Sequence, residues 1–205
     1  MHGLVNQAIR DLAVKVGGEQ LWLDIKSRAA VDVEVFVSMQ AYPDEVTYSL
    51  VEAASVVLGI SAADMLHAFG KHWILYTAHQ GYGAIFDMMG RTLPDFLGNL
   101  DSMHARLSLS MPGLRPPSFV CEHVSDSLMR LEYWTHRPGL APMVLGLLDG
   151  LAEMYEVSIT VTRGASRENG DEYDEFIIAH VPASAADDSA GRRTASLEPA
   201  GAATS

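Results

Sequence analysis

The chain has 205 residues, 48% of them hydrophobic, and a formal net charge of −12. That is enough apolar sequence for one domain with a real core, and the negative charge argues against nucleic acid or an anionic membrane surface as the main partner, since both reward clustered Lys and Arg. No signal-peptide-like start and no run of about 18 apolar residues is present, which predicts a cytoplasmic protein; the single cysteine, Cys121, excludes an internal disulfide or multi-cysteine zinc site and reads as a small, partly buried hydrophobe.

Taking the elements in chain order, Leu4, Val5, Ala8, Ile9, Leu12 and Val16 recur at helical spacing until Gly17-Gly18 stops them, and a second short helix is expected over 19–28. Thr47 to Leu58 reads as a third helix ending before Gly59. Ser61 caps a longer one, with Ala63, Met65, Leu66 and Phe69 on its inner side and Ile74-Leu75 further along. Thr92, with Pro94 two positions later, opens another helix that runs to Met111 before Pro112-Gly113. After this helical part, about 1–113, the pattern changes. Leu128 to Thr135 alternates and reads as a strand, Gly139 to Glu153 as a helix, and Val157–Arg163 with Glu172–Ala179 as a hairpin around the Gly164–Gly170 loop. From Pro182 to Ser205 the chain is rich in Ala, Ser, Gly and Asp without apolar periodicity, which predicts a disordered tail. Helices followed by a small antiparallel sheet with one inserted helix make an α+β architecture.

Two segments carry chemistry. In the helix that starts at Thr92, Leu93, Phe96, Leu97, Leu100, His104, Leu107 and Met111 fall on one face, so the imidazole of His104 points where the leucines point. Neutral imidazole is the commonest metal ligand. It is equally at home in a core, bonded to a backbone carbonyl, and both readings stand at this point. The other histidines (His2, His67, His72, His79, His123, His136 and His180) form no H-E-x-x-H pattern, which speaks against a zinc hydrolase.

About thirty residues later the chain reads Tyr133-Trp134-Thr135-His136-Arg137. Residues two apart share a strand face, so Tyr133, Thr135 and Arg137 would offer a phenol, a hydroxyl and a guanidinium fork on one side, with Trp134 and His136 on the other. Such a set suits carboxylates, although an ordinary polar strand face with an arginine at its end has the same composition. Together the two segments suggest a cleft for a dianionic, iron-centred ligand, namely haem.

With these residues in view the chain resembles the H-NOX family, the haem–nitric oxide/oxygen binding domain also found in the β subunit of soluble guanylate cyclase. The resemblance covers roughly 1–181 and rests on five ordered motifs. These are the start Met1-x-Gly3-Leu4-Val5-Asn6; Phe69-Gly70-Lys71; Leu100-Asp101-x-x-His104; Arg115-x-Pro117-Ser118-Phe119-x-Cys121; and Tyr133-x-Thr135-x-Arg137. It implies a helical part packed on a four-stranded antiparallel sheet with an inserted helix, and haem b (iron protoporphyrin IX) between the two.

By the same likeness His104 would be the proximal iron ligand and Tyr133, Thr135 and Arg137 would hold the propionates, with Thr135 in place of the family's usual serine. Pro117 would match the proline that presses on the porphyrin plane. Met143 would stand where oxygen-binding members carry a distal tyrosine, in a register that needs a one-residue insertion around Pro138-Gly139. Val5, Ile9, Met143 and Leu147 would form an apolar distal wall, with Trp73 and its indole N–H close by.

The implied function is a gas sensor rather than an enzyme. It would bind NO and CO at ferrous haem and hold little O2. Weakening of the iron–His104 bond would shift the 92–111 helix. With no output domain expected after residue 181, the signal would pass to a separate protein, a histidine kinase or a diguanylate cyclase/phosphodiesterase. The alternatives are a haem enzyme of peroxidase or NO dioxygenase type, which would need acid–base groups on the distal side, and a module for a non-haem ligand.

Overall fold

In a computed structural model the described residues are 1–77, 83–111 and 113–182. The predicted tail beyond Pro182, together with His79 and Pro112, lies outside them. Helix α1 spans Gly3–Arg28 and is broken where Gly17 (φ −144°, ψ 17°) and Gly18 (φ 75°, ψ −176°) leave helical geometry, so the expected pair of helices is present, joined end to end. The left-handed φ of Gly18 is one that a side chain would resist. Close to this break Val16, expected on the inner stripe, is 59% exposed.

Helix α2 spans Asp44–Leu58, beginning three positions before the expected Thr47, because Pro43 presets the backbone and Asp44 and Glu45 complement the positive end of the helix. It stops at Gly59, whose φ is 67°. Helix α3, Ala62–Thr77, begins with Ser61 as expected, its Oγ accepting from the Asp64 N–H at 3.0 Å. Met65, Leu66 and Phe69 turn inward, whereas Ala63, two positions before Met65, falls on the outer side and is exposed. A short helix α4, Gly83–Met88, was not foreseen. Helix α5 spans Leu93–Ser110.

Strand β1 (Ser118–Ser125), unplaced by its residue pattern, leads into β2 (Leu128–Trp134). Helix α6 (Ala141–Met154), β3 (Val157–Arg163), a short 3-10 turn (Arg167–Asn169) and β4 (Asp174–Pro182) follow. The expected strand to Thr135 ends one residue earlier, and β4 begins two residues later than Glu172 and runs on to Pro182, which pairs with Val157 instead of opening the tail. The sheet is antiparallel in the order β1-β2-β4-β3. Met129, Leu131 and Tyr133 of β2, with Phe176 and Ile178 of β4, carry one sheet face into a core shared with the helices.

Helices α3 and α6 cross closely. A Cβ on Gly146 would come within 1.9 Å of the His67 carbonyl oxygen, and one on Gly70 within 2.1 Å of the Met143 oxygen, so the backbones touch where no side chain fits. Across the crossing His67 Nε2 lies 2.9 Å from Asp149 and Lys71 Nζ 2.9 Å from Glu153. Among the described residues no single helix is long and apolar enough to cross a membrane.

Candidate functional site

Helix α5 presents His104. Thr92 caps it by accepting from the Asp95 N–H at 3.2 Å, with Pro94 in the first turn. Along the expected stripe Leu93, Phe96 and Leu97 are buried, while Leu100, His104 and Leu107 are half-buried, so the face opens toward the histidine end. The imidazole lies against Phe119, ring centroids 5.7 Å apart and planes 21° apart. Its Nδ1 is buried without a hydrogen-bond partner. That removes a carbonyl at Nδ1, and an unmet buried donor or acceptor is costly. Loss of hydration outweighs the nearby Asp101 charge and pushes the imidazole down from 6.5 to about 4, so the ring is neutral near pH 7.

Phe119 is one of β1's few inward-facing residues and pairs across the ladder with Tyr133 of β2, their rings 5.2 Å apart. Asp101, one turn before His104, fastens this corner: its Oδ1 accepts from Ser118 Oγ at 2.7 Å and from the Phe119 N–H at 3.0 Å. Those bonds hold the Asp101 carboxyl below its ordinary value despite some burial. Pro117 is half-buried directly before β1. Cys121, on the same strand, is half-buried with its thiol pushed up by burial, which disfavours the reactive thiolate.

Tyr133, Thr135 and Arg137 do come together, though not as one strand face. β2 ends at Trp134, and the chain turns there because Thr135 Oγ1 accepts from the Arg137 N–H at 3.1 Å, a local bond that competes with the ladder. Burial pushes the Tyr133 phenol above its ordinary value, against the pull of Thr135 and Arg137.

The Arg137 guanidinium has partners that sequence reasoning missed. Its Nε donates to Asp44 Oδ2 at 2.7 Å, its Nη2 to Asp44 Oδ1 at 3.2 Å and its Nη1 to the Arg115 carbonyl at 2.7 Å. Asp44 Oδ1 also receives the Met1 ammonium at 2.5 Å. Burial works against the Asp44 carboxylate, yet Arg137 and the N-terminus prevail and its pKa is lowered. The remaining N–H groups of the fork are left to other acceptors. Tyr48 closes the edge by donating to the Pro138 carbonyl at 3.0 Å.

Of the expected distal residues, Val5, Trp73, Met143 and Leu147 are half-buried against the core. Met143 and Leu147 meet α3 through their backbones at Gly70, and Trp73 lies 6.0 Å from Phe69 on the same helix. Ile9 is fully buried. It lines an apolar hollow of about 250 Å³ among α1, α2 and α3 with Leu12, Ala13, Ile25 and Met65, and neither Val5, Met143 nor Leu147 borders it.

The family model for haem–NO-binding domains matches residues 2–163. The chain belongs to this family. Two curated relatives of this H-NOX domain are the soluble guanylate cyclases gcy-34 and gcy-32 of Caenorhabditis elegans, 31% and 29% identical over 87% of the chain. The chain spans only 27% and 28% of their respective lengths. Among solved structures, an H-NOX protein from S. oneidensis in the Fe(II)NO state superposes with a TM-score of 0.81 at 20% identity, covering 88% of this chain and 99% of that one. An unliganded Fe(II) H-NOX protein from K. algicida gives 0.76 at 19% identity over 88% of this chain and 97% of that one. The α+β architecture read from the sequence is thus the H-NOX fold.

Proposed function

We propose that this H-NOX domain senses NO, with CO as a surrogate and little O2 binding, through haem b held by His104 on one side and by Tyr133, Thr135 and Arg137 at the acid groups. One observation carries the reading. The His104 ring stacks on Phe119 and Phe119 packs at a tilt against Tyr133, which joins a neutral imidazole with an unmet Nδ1 to a cationic cluster at the far end of the same row. A ligand with a metal at its centre and two carboxylates at its edge has the chemistry for both ends. When bound, haem would supply a ferrous iron able to take a diatomic gas.

The chain's own residues do the rest. Val5, Met143 and Leu147 keep water away and, unlike a tyrosine, offer no donor to oxygen. Pro117 and Phe119 limit how the ligand lies. His104 is fixed to α5, and Asp101 ties α5 to β1, so a change in what holds the imidazole is passed to the sheet edge. The receiver of that change is a separate signalling protein, a histidine kinase or a diguanylate cyclase/phosphodiesterase, in the cytoplasm. The net charge of −12 suits a basic patch on such a partner and not nucleic acid or a membrane surface. The module that does this is residues 1–181; it is not an enzyme.

The test is the absorption spectrum of the reduced protein under argon, air, CO and NO. A Soret band that shifts with CO and NO but stays put in air agrees with the proposal. Peroxide turnover would favour a haem enzyme instead. Colourless protein after haem feeding would favour a non-haem ligand.

A further inference from the structure

Arg167 is a half-buried guanidinium without an acid. It opens the 3-10 turn in the β3–β4 loop, and its Nη1 donates to the main-chain carbonyl of Arg137 at 3.2 Å. Among the described residues no carboxylate forms an ion pair with it, in a chain with 26 acidic residues and a net charge of −12. The acids at hand are engaged. Asp174 is held by Arg163 Nη2 at 2.7 Å, Asp171 accepts from the Ser166 N–H at 2.7 Å, and Asp44 is shared by Arg137 and the Met1 ammonium. The bond from Arg167 Nη1 to the Arg137 carbonyl brings the two arginines to one edge of the site. Arg137 and the Met1 ammonium share Asp44 there and Arg163 takes Asp174, which leaves Arg167 as the guanidinium with no ion-pair partner among the described residues.

A half-buried guanidinium with no acid to pair with keeps N–H donors for an outside anion. The loop is built to keep Arg167 there. Tyr173 packs at a tilt against Trp134 with centroids 4.6 Å apart, the Arg167 main-chain N–H is held by Asp174 at 3.3 Å, and the Gly164 N–H and Glu175 N–H bond across the loop base at 3.0 and 2.9 Å. Gly170 closes the turn at φ 96°, in the left-handed region. The loop thus holds at this edge an arginine whose side chain meets only the Arg137 carbonyl. The segment matched by the family model ends at residue 163, so the shared motifs do not include this arginine.

We infer that Arg167 is a second guanidinium of the acid clamp and binds a haem carboxylate alongside Arg137. This rests on the haem reading above. An unpaired guanidinium then meets a carboxylate, whose two oxygens the planar fork suits better than an ammonium would.

The experiment compares haem loss to excess apomyoglobin from the parent protein, Arg167→Gln and Arg167→Lys. Each is loaded either with iron protoporphyrin IX or with its dimethyl ester, and circular dichroism checks the fold. With the free acids Arg167→Gln should lose haem about tenfold faster than the parent, with Arg167→Lys in between. With the ester the parent and Arg167→Gln should lose it at the same rate. Equal rates with the free acids would overturn the inference, and so would a gap that persists with the ester, since the arginine would then only brace the loop. If the parent takes up neither form, this inference falls with the haem reading itself. If the parent holds haem and Arg167→Gln holds it equally well, this inference alone falls.

Discussion

The imidazole of His104 lies nearly parallel to the ring of Phe119, 5.7 Å from it, and so belongs as much to the start of β1 as to its own helix. Asp101 makes that attachment firm, since one carboxylate oxygen receives both Ser118 Oγ and the Phe119 N–H. A helix tied to a sheet at the same turn as its buried imidazole can transmit a small displacement.

Removing the tie should therefore be felt. Asp101→Ala should cost about 1–3 kcal/mol in urea denaturation, whereas Asp101→Asn, which keeps an acceptor oxygen, should cost less. Equal losses for the two variants would mean that charge, not the pair of hydrogen bonds, holds α5 to β1.

Asp44 predicts a pH dependence. Its carboxyl titrates lower in the fold than when unfolded. Its contribution is therefore present above the unfolded value of about 3.9 and is lost as pH falls through the lower folded one. Asp44→Asn should destabilise the protein at pH 7 by about 1–3 kcal/mol, because Arg137 and the Met1 ammonium lose their shared partner. It should also flatten the acid limb of the stability–pH curve. An acid limb unchanged in the variant would assign that limb to other carboxylates.

The α3–α6 crossing leaves no room at Gly146, where an added methyl would meet the His67 carbonyl at 1.9 Å. Gly146→Ala should lower stability by roughly 1–3 kcal/mol. On α5, Gly98 is exposed with open space around its Cβ direction, so Gly98→Ala should raise stability by roughly 0.5–1 kcal/mol. Thermal unfolding of the two variants side by side checks the pair, and a neutral Gly146→Ala would show that the helices can slide apart.

Much of this was legible in the chain. The helix around His104, the β3 strand and the Ser61 and Thr92 caps follow from local periodicity and local hydrogen bonds, which short stretches of sequence encode. Strand β1 did not declare itself, because it is an edge strand with Phe119 as its main buried residue and so lacks alternation. Thr135 and Arg137 were read as strand residues, yet a threonine hydroxyl two positions ahead of an N–H can turn the chain, and here it does. Asp44 was out of reach for a different reason. It is 93 positions from Arg137, and nothing local distinguishes it from an acid that merely complements its helix dipole, as Glu45 beside it does. Asp101 could have been found, since it stands inside the motif that ends at His104.

The central claim is that one polypeptide holds haem at its metal through His104. His104→Ala should be purified after expression with added haem, with and without imidazole in the buffer, and its pigment and CO-difference spectrum compared with the parent. Without imidazole the variant should be largely colourless, and imidazole should restore a Soret band that responds to CO. Full pigment and an unchanged CO response without imidazole would contradict the account.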